Sequence, residues 1–332
     1  MNPQQTGLPR RDGARWSVSR REFLMSATGL ALGMVTSFGH ETNAQARAEP
    51  IIDIHQHLNY AGRPDKVFLA HQESMGVTMT ILLPAGRPLK SAATHNGEAN
   101  GLQAHCAGNA ACCRFARAHH ASYRFGANEV SDLDDAAKEI EKYLKRGGVV
   151  IAEQKFGVDC DSPAMQRIYE LGADHRVPIL MHWQYQMFNY GFERFGRMLA
   201  KYPRTTFIGH AQTWWANIDK NHADQSVLYP AGKVTPGGLT DRYLGDYPNI
   251  YGDLSAGSGL NALTRDEEFT RDFLQRHQDK LMYGSDCSDS VGTGEKCSGS
   301  QMLATIRRLA PDKAAERKIL FENAKRVLKL PV

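Results

Sequence analysis

The chain has 332 residues, 42% of them hydrophobic and 23% charged, ordinary values for one large α/β domain or two small ones. Its formal net charge is +4, but the first 46 residues carry five arginines and three acids, which leaves +2 on the remainder. Near-balance without a basic stripe excludes a charge-driven nucleic-acid partner and favours a small-molecule one.

Residues 1–46 read as a targeting segment. Ser19-Arg20-Arg21-Glu22-Phe23-Leu24 is a twin-arginine pattern, a weakly apolar stretch follows over 24–38, and Ala44-Gln45-Ala46 offers an A-x-A cleavage site. With Gly, Ser and Thr inside it, the stretch falls short of the ~20 apolar residues of a spanning helix. The expectation is twin-arginine export, cleavage, a periplasmic protein and no stable membrane anchor.

From residue 47 onward, strand-like and helix-like segments alternate without a linker or a composition break. Strands are expected at 51–57, 77–84, 123–128, 149–155, 177–182, 205–210, 250–254 and 280–286. Helices are expected at 66–75, 109–119, 133–145, 162–174, 192–201, 266–276, 301–309 and 313–328. Leu133, Ala137, Ile140 and Leu144 recur at helical spacing, and Ser162-Pro163 is an N-cap followed by proline at the first helical position. The segment 85–108, rich in Gly, Asn and Ala, is long enough to be functional rather than a simple connector. Strands that are apolar throughout, such as Ile81-Leu82-Leu83, suit a parallel sheet covered on both faces. About eight βα units in some 280 residues make a (β/α)8 TIM barrel the economical fold, as a single domain over 47–332. No Gly-rich phosphate loop follows the first strand, as a doubly wound sheet would require.

Residues with metal-binding chemistry recur where these strands end. Asp53-Ile54-His55-Gln56-His57 closes the first, and two histidines spaced i, i+2 on a strand point the same way. Glu153 lies at the end of the fourth, His182 of the fifth, His210 of the sixth and Asp286 of the eighth. In a barrel those ends converge on one mouth, where neutral imidazoles and a carboxylate can hold a divalent metal. The remaining histidines, among them His71, His119, His120, His175, His222 and His277, read as surface or packing residues. Glu153 and Lys155 share a face, so either could reach the site, or they could pair with each other. Trp214 and Trp215, just past the sixth strand, are candidates for a pocket wall, and Arg87, just after the second, for holding a carboxylate. Asp53 is placed to support the histidine pair from beneath, and Asp253 is an acid without an assigned role.

After export the six cysteines would sit in an oxidising compartment. Cys287 and Cys297, ten apart in a Gly/Ser-rich loop, allow a loop-closing disulfide. Cys106, Cys112 and Cys113 lack a repeated C-x-x-C spacing and read as helix and core residues rather than zinc ligands.

Taken together, D-x-H-x-H, Pro178-Ile179-Leu180-Met181-His182, Phe207-Ile208-Gly209-His210, Gly284-Ser285-Asp286 and Lys318-Ile319-Leu320-Phe321-Glu322-Asn323-Ala324 resemble the metal-dependent amidohydrolase superfamily. The nearest branch is the one that contains aminocarboxymuconate-semialdehyde decarboxylase. The resemblance covers essentially the whole chain after the signal. It implies that His55, His57 and His182 are metal ligands and that Asp286 is both a ligand and the general base. It also implies that His210 binds a second metal or polarises a substrate carbonyl. Members differ at the fourth strand, which carries a bridging carboxylated lysine, a bridging glutamate or neither; here Glu153 and Lys155 both qualify.

The expected activity is metal-dependent hydrolysis of a C–N or C–O bond, an amide or lactone, by a metal-activated water. Non-oxidative decarboxylation of an aromatic or dienoic acid is the alternative. One or two divalent ions are expected, zinc foremost; a homo-oligomer is left open.

Overall fold

The computed structural model describes residues 49–86 and 106–331. The signal-like segment and Arg87 lie outside the described residues. Eight short strands follow one another in chain order: β1 Ile52–Gln56, β2 Met79–Leu82, β3 Tyr123–Phe125, β4 Ile151–Gln154, β5 Ile179–His182, β6 Phe207–His210, β7 Ile250–Asp253 and β8 Leu281–Met282. Each pairs in parallel with its neighbours, in a three-stranded sheet β1-β2-β3 and a five-stranded sheet β4 to β8. Hydrogen bonds cross both seams. Val149 N–H donates to Phe125 O at 2.9 Å and Ala127 bridges Ile151, while Ile54 N–H donates to Tyr283 O at 3.1 Å and Asp286 N–H to His55 O at 2.8 Å. This parallel α/β arrangement matches a TIM barrel.

Two apolar layers follow from the strand alternation. Ile52 and Ile54 of β1, Met79 and Ile81 of β2, Leu180, Ile208 and Met282 form one cluster, sealed by Phe321, Ala324, Leu328 and Leu330 of the C-terminal segment. The opposite strand faces, including Ile179, Met181, Phe207, Ile250 and Leu281, pack against the surrounding helices.

Most expected elements form, and the departures have local causes. The eighth strand pairs only over Leu281–Met282. Beyond it Tyr283 N–H turns to Ile319 O at 3.0 Å, and Asp286 takes a left-handed backbone, φ 40°. The expected helix 313–328 is one run interrupted by a π-helical turn at Lys318–Glu322, which supplies that Ile319 carbonyl. Three helices were not anticipated: Gln212–Ala216, Leu239–Asp246 and Ala256–Thr264. The last reads AGSGLNALT, and its two glycines lower helix propensity below what periodicity detects. Cys287 and Cys297, candidates for a disulfide, are free thiols with their Sγ atoms 3.3 Å apart. Cys112 and Cys113 are buried in the helix Asn109–Ala118, as expected. Among the described residues no helix is long and apolar enough to cross a membrane.

Candidate metal centre

The strand ends deliver six titratable side chains to one place, by two routes. On β5 and β6 the regular alternation suffices: Leu180 and Ile208 point into the barrel, so His182 and His210, two residues on, do too. On β1 and β4 it does not, because the barrel-facing residues are Ile52, Ile54 and Ala152, whereas the functional ones are His55, His57 and Glu153. The register shifts between Asp53 and Gln56 on β1, and between Ile151 and Gln154 on β4. Such bulges re-aim a side chain next to a site.

His55 and His57 face each other with Nε2 atoms 3.3 Å apart. The Nδ1 of His55 donates to Asp253 Oδ2 at 2.6 Å, and the Nδ1 of His57 to the Leu83 carbonyl at 2.8 Å. Both acceptors lack a proton to give, so each Nδ1 carries the ring hydrogen and the two Nε2 atoms meet where a cation, a proton or a metal ion, must lie between them. The oxygens that would share it are at hand. Glu153 Oε2 lies 3.5 Å from His57 Nε2 and 3.9 Å from His55 Nε2, and Asp286 Oδ1 lies 3.5 and 3.7 Å from the same atoms. Both oxygens are buried without a hydrogen-bond partner among the described residues. These donors therefore fit a divalent metal.

The other Glu153 oxygen faces the other pair of histidines. Oε1 lies 2.6 Å from His182 Nδ1 and 3.9 Å from His210 Nε2. His182 Nε2 lies 3.2 Å from Gln184 Oε1, while His210 Nδ1 lies 3.0 Å from Ser255 Oγ and 3.3 Å from Asp253 Oδ2. Three donor sets converge: His55, His57 and Glu153; Glu153, His182 and His210; and His55, His210 and Asp286.

The local charges agree with this geometry. Burial pushes the His55 imidazolium down, but the carboxylates of Asp286, Asp253 and Glu153 outweigh it and raise it to about 10. Burial likewise opposes ionisation of Glu153, yet Lys155 and the His182 hydrogen bond hold it well below the usual carboxylate range. Asp286 behaves the same way, its burial outweighed by His55 and His57. Burial and the neighbouring His55 charge push His210 down to about 3, so it is neutral. Burial, then Lys155, also lowers His182.

The backbone around Asp286 is packed to contact. A Cβ on Gly284 would lie 2.5 Å from Asp253 Oδ1 and 2.9 Å from the His55 Cβ, so only glycine allows this approach. Asp53, buried and pushed up to about 6 chiefly by that burial, accepts from the backbone N–H of His55 and of Ser285. It thus ties β1 to the Asp286 turn rather than contacting an imidazole.

Of the expected substrate-binding residues, Lys155 places its ammonium 5.5 Å from the Phe188 ring, beside the centre. Trp214 does not form a pocket wall: it is fully buried, its ring against Gly209, where a Cβ would come within 2.4 Å of it. A cavity of about 470 Å³ is lined instead by Gln184, Tyr185, Asn189, Tyr190, Phe192 and Asn217, among others. Gln184, the His182 partner, joins it to the metal centre. Sequence reasoning also missed Tyr60, whose ring meets His57 edge-on at 5.0 Å and whose phenol lies near enough to Asp286 to feel its charge. The carboxylates of Asp286 and Glu153, with burial, push that phenol far up and keep it protonated. Asp253 and Ser255, unassigned by sequence, prove to be the shared partners of His55 and His210. An acid at the end of β7, in line with the other strand ends, was the available signal.

A profile described as amidohydrolase matches residues 52–330, nearly all of the described chain. The chain belongs to the amidohydrolase family. No curated protein matches this amidohydrolase by sequence. Among solved structures it is similar to a candidate 2-pyrone-4,6-dicarboxylic acid hydrolase from Pseudomonas putida, with TM-score 0.56 and 13% identity over 85% of this chain and 98% of that one. It is also similar to 5-carboxyvanillate decarboxylase from Sphingomonas paucimobilis, with TM-score 0.53 and 14% identity over 85% and 100%. A dihydroxybenzoic acid decarboxylase from Polaromonas sp. JS666, solved with bound manganese and 2-nitroresorcinol, gives TM-score 0.51 and 14% identity over 86% and 98%. At these identities the likeness is one of fold.

Proposed function

We propose that this amidohydrolase cleaves a C–O or C–N bond of a small lactone or amide at a centre of two divalent ions bridged by Glu153. The observation that carries the reading is the position of Glu153, whose two carboxylate oxygens face different histidine pairs, Oε2 toward His55 and His57 and Oε1 toward His182 and His210. His55, His57, Asp286 and Glu153 would hold one ion, and Glu153, His182 and His210 the other. Imidazole and carboxylate donors of this kind suit zinc, and equally manganese, so the ion is a matter of supply as well as geometry.

Ions bound there would supply Lewis acidity, lowering the pKa of a water toward ~7. Asp286, with 12% of its side chain exposed, is the acid of the cluster that solvent reaches. It takes the proton of the attacking water and returns it to the leaving oxygen or nitrogen. Tyr60, kept protonated by the neighbouring carboxylates, stands beside Asp286. His210 acts as a ligand rather than as a carbonyl polariser: its Nδ1 is spent on Asp253 and Ser255, so Nε2 offers a lone pair and no proton. The cavity beyond Gln184 has aromatic and amide groups and, among the described lining residues, no cation, which suits a neutral acyl compound.

Decarboxylation of an aromatic or dienoic acid has a specific observation in its favour as well. Lys155 is a cation beside the centre, able to hold a carboxylate, and the similar solved structures carry names of enzymes acting on such acids. That reading needs a single ion and gives Glu153 no bridging role. A panel of lactones, amides and aromatic acids, followed for acid release and for carbon dioxide, separates the two. Acid release without carbon dioxide, lost in Asp286→Asn, is expected; carbon dioxide as product would overturn hydrolysis. Residues 1–46 are proposed to direct export to the periplasm by the twin-arginine route.

A further inference from the structure

One residue beyond Asp286, a second set of donors converges that the hydrolytic reading does not use. His71 comes from the helix Asp65–Ser74, Cys287 and Asp289 from the segment after β8, and Cys297 from the N-cap of the helix Ser298–Leu309. His71 Nε2 lies 3.0 Å from Cys287 Sγ, 3.7 Å from Cys297 Sγ and 3.4 Å from Asp289 Oδ1. The two sulfurs are 3.3 Å apart, and Cys287 Sγ is 3.9 Å from Asp289 Oδ2. Tetrahedral zinc bonds of ordinary length would separate two sulfurs by about 3.8 Å, sulfur from nitrogen by about 3.6 Å and nitrogen from oxygen by about 3.3 Å. One donor atom from each of the four side chains thus lies within 4.8 Å of the others, near the separations such an ion sets.

The surroundings match a closed metal site. His71, Cys287 and Cys297 are buried, and Asp289 nearly so. Cys297 Sγ accepts the Ser300 N–H at 3.3 Å at the start of a twelve-residue helix, where a thiolate is favoured. Asp289 is fixed by the N–H groups of Val291 and Gly292. Gln72 lies 3.2 Å from His71 Nδ1, and its amide, turned either way, holds the ring.

We propose that His71, Cys287, Asp289 and Cys297 bind a second kind of metal ion, a structural divalent ion of the zinc type with four protein ligands and no open position. Its effect is on the neighbouring catalytic turn. Arg63 donates to the carbonyls of Cys287 at 3.0 Å and Asp289 at 2.8 Å, and Gln56, between the two site histidines, also donates to Cys287 O at 2.9 Å. An ion on Cys287 therefore locks the segment that holds Asp286 in its left-handed backbone.

Cobalt loading of the full chain tests this without any substrate. Wild type is expected to show thiolate-to-cobalt charge-transfer absorption, and Cys297→Ser to lose that band together with one zinc equivalent per chain, while the histidine centre keeps its metal. Thiols titrated in denaturant without reductant are expected to number six, the full cysteine complement. Absence of the sulfur band in wild type, or a count of four that rises only on reduction, overturns the proposal in favour of free thiols or a disulfide. Asp289→Asn, a milder change, should weaken cobalt retention by about 10-fold or more; unchanged retention would count against it. The sulfur signature belongs to this site alone, so its failure is separable from failure of the hydrolase reading.

Discussion

Two donor clusters flank the Asp286–Cys287 peptide, and they differ in what they leave unsatisfied. On one side, imidazoles and carboxylates leave Glu153 Oε2 and Asp286 Oδ1 buried without hydrogen-bond partners among the described residues, with Asp286 open to solvent. On the other, thiols, an imidazole and a carboxylate close on one another, and the carbonyls of Cys287 and Asp289 are held by Arg63, the first of them by Gln56 as well. Open coordination is what chemistry on a bound water needs, and closed coordination is what holds a loop still. The contrast predicts that damage to the first cluster removes turnover while damage to the second shifts the position of Asp286.

The largest effect is expected from Asp286→Asn. It should lower kcat by about 10³-fold, within the range for loss of a general base, while metal content by elemental analysis stays near wild type. Retained turnover would break the assignment of the open cluster. Gly284→Ala should strain both clusters at once, because its Cβ meets Asp253 and His55. A loss of about 3 kcal/mol in denaturant unfolding is expected, with reduced metal occupancy. Asp253→Asn removes the carboxylate charge shared by His55 and His210 and should weaken metal affinity at the open cluster by about 10- to 100-fold. Competition with a chelator reads this directly, and cobalt bound to thiolate should be untouched.

The smallest effect lies away from both clusters and serves as a control. Burial opposes ionisation of Asp241, but hydrogen bonds from His277 and Arg276 hold its carboxyl at about 2, below the ordinary 3.8. A depressed carboxyl stabilises the fold fully above pH 3.8 and loses that contribution as pH falls toward 2. Asp241→Asn should therefore remove about 2 kcal/mol at pH 6 and flatten the acid limb of an unfolding curve. The metal centre should be unaffected at neutral pH.

The legible part of this chain is the part governed by simple period. His182 and His210 follow their barrel-facing neighbours by two residues, so a strand-end histidine could be read as inward-facing from sequence. His55, His57 and Glu153 reach the same mouth only through register shifts, which leave no residue-type mark, so strand alternation alone does not account for their aim. Trp214 misled because the approach of its ring to Gly209 is tertiary. The second cluster was illegible: its donors at 71, 287, 289 and 297 have no repeated spacing, and His71 read as a packing residue. Only the fold brings the helix Asp65–Ser74 beside the loop after β8.

Electron paramagnetic resonance of the manganese-loaded chain reports whether Glu153 joins two ions. Wild type is expected to show an exchange-coupled pair signal that gives way to an isolated-ion spectrum in Glu153→Gln. An isolated-ion spectrum in wild type at saturating manganese, with no coupled signal, would contradict the bridge.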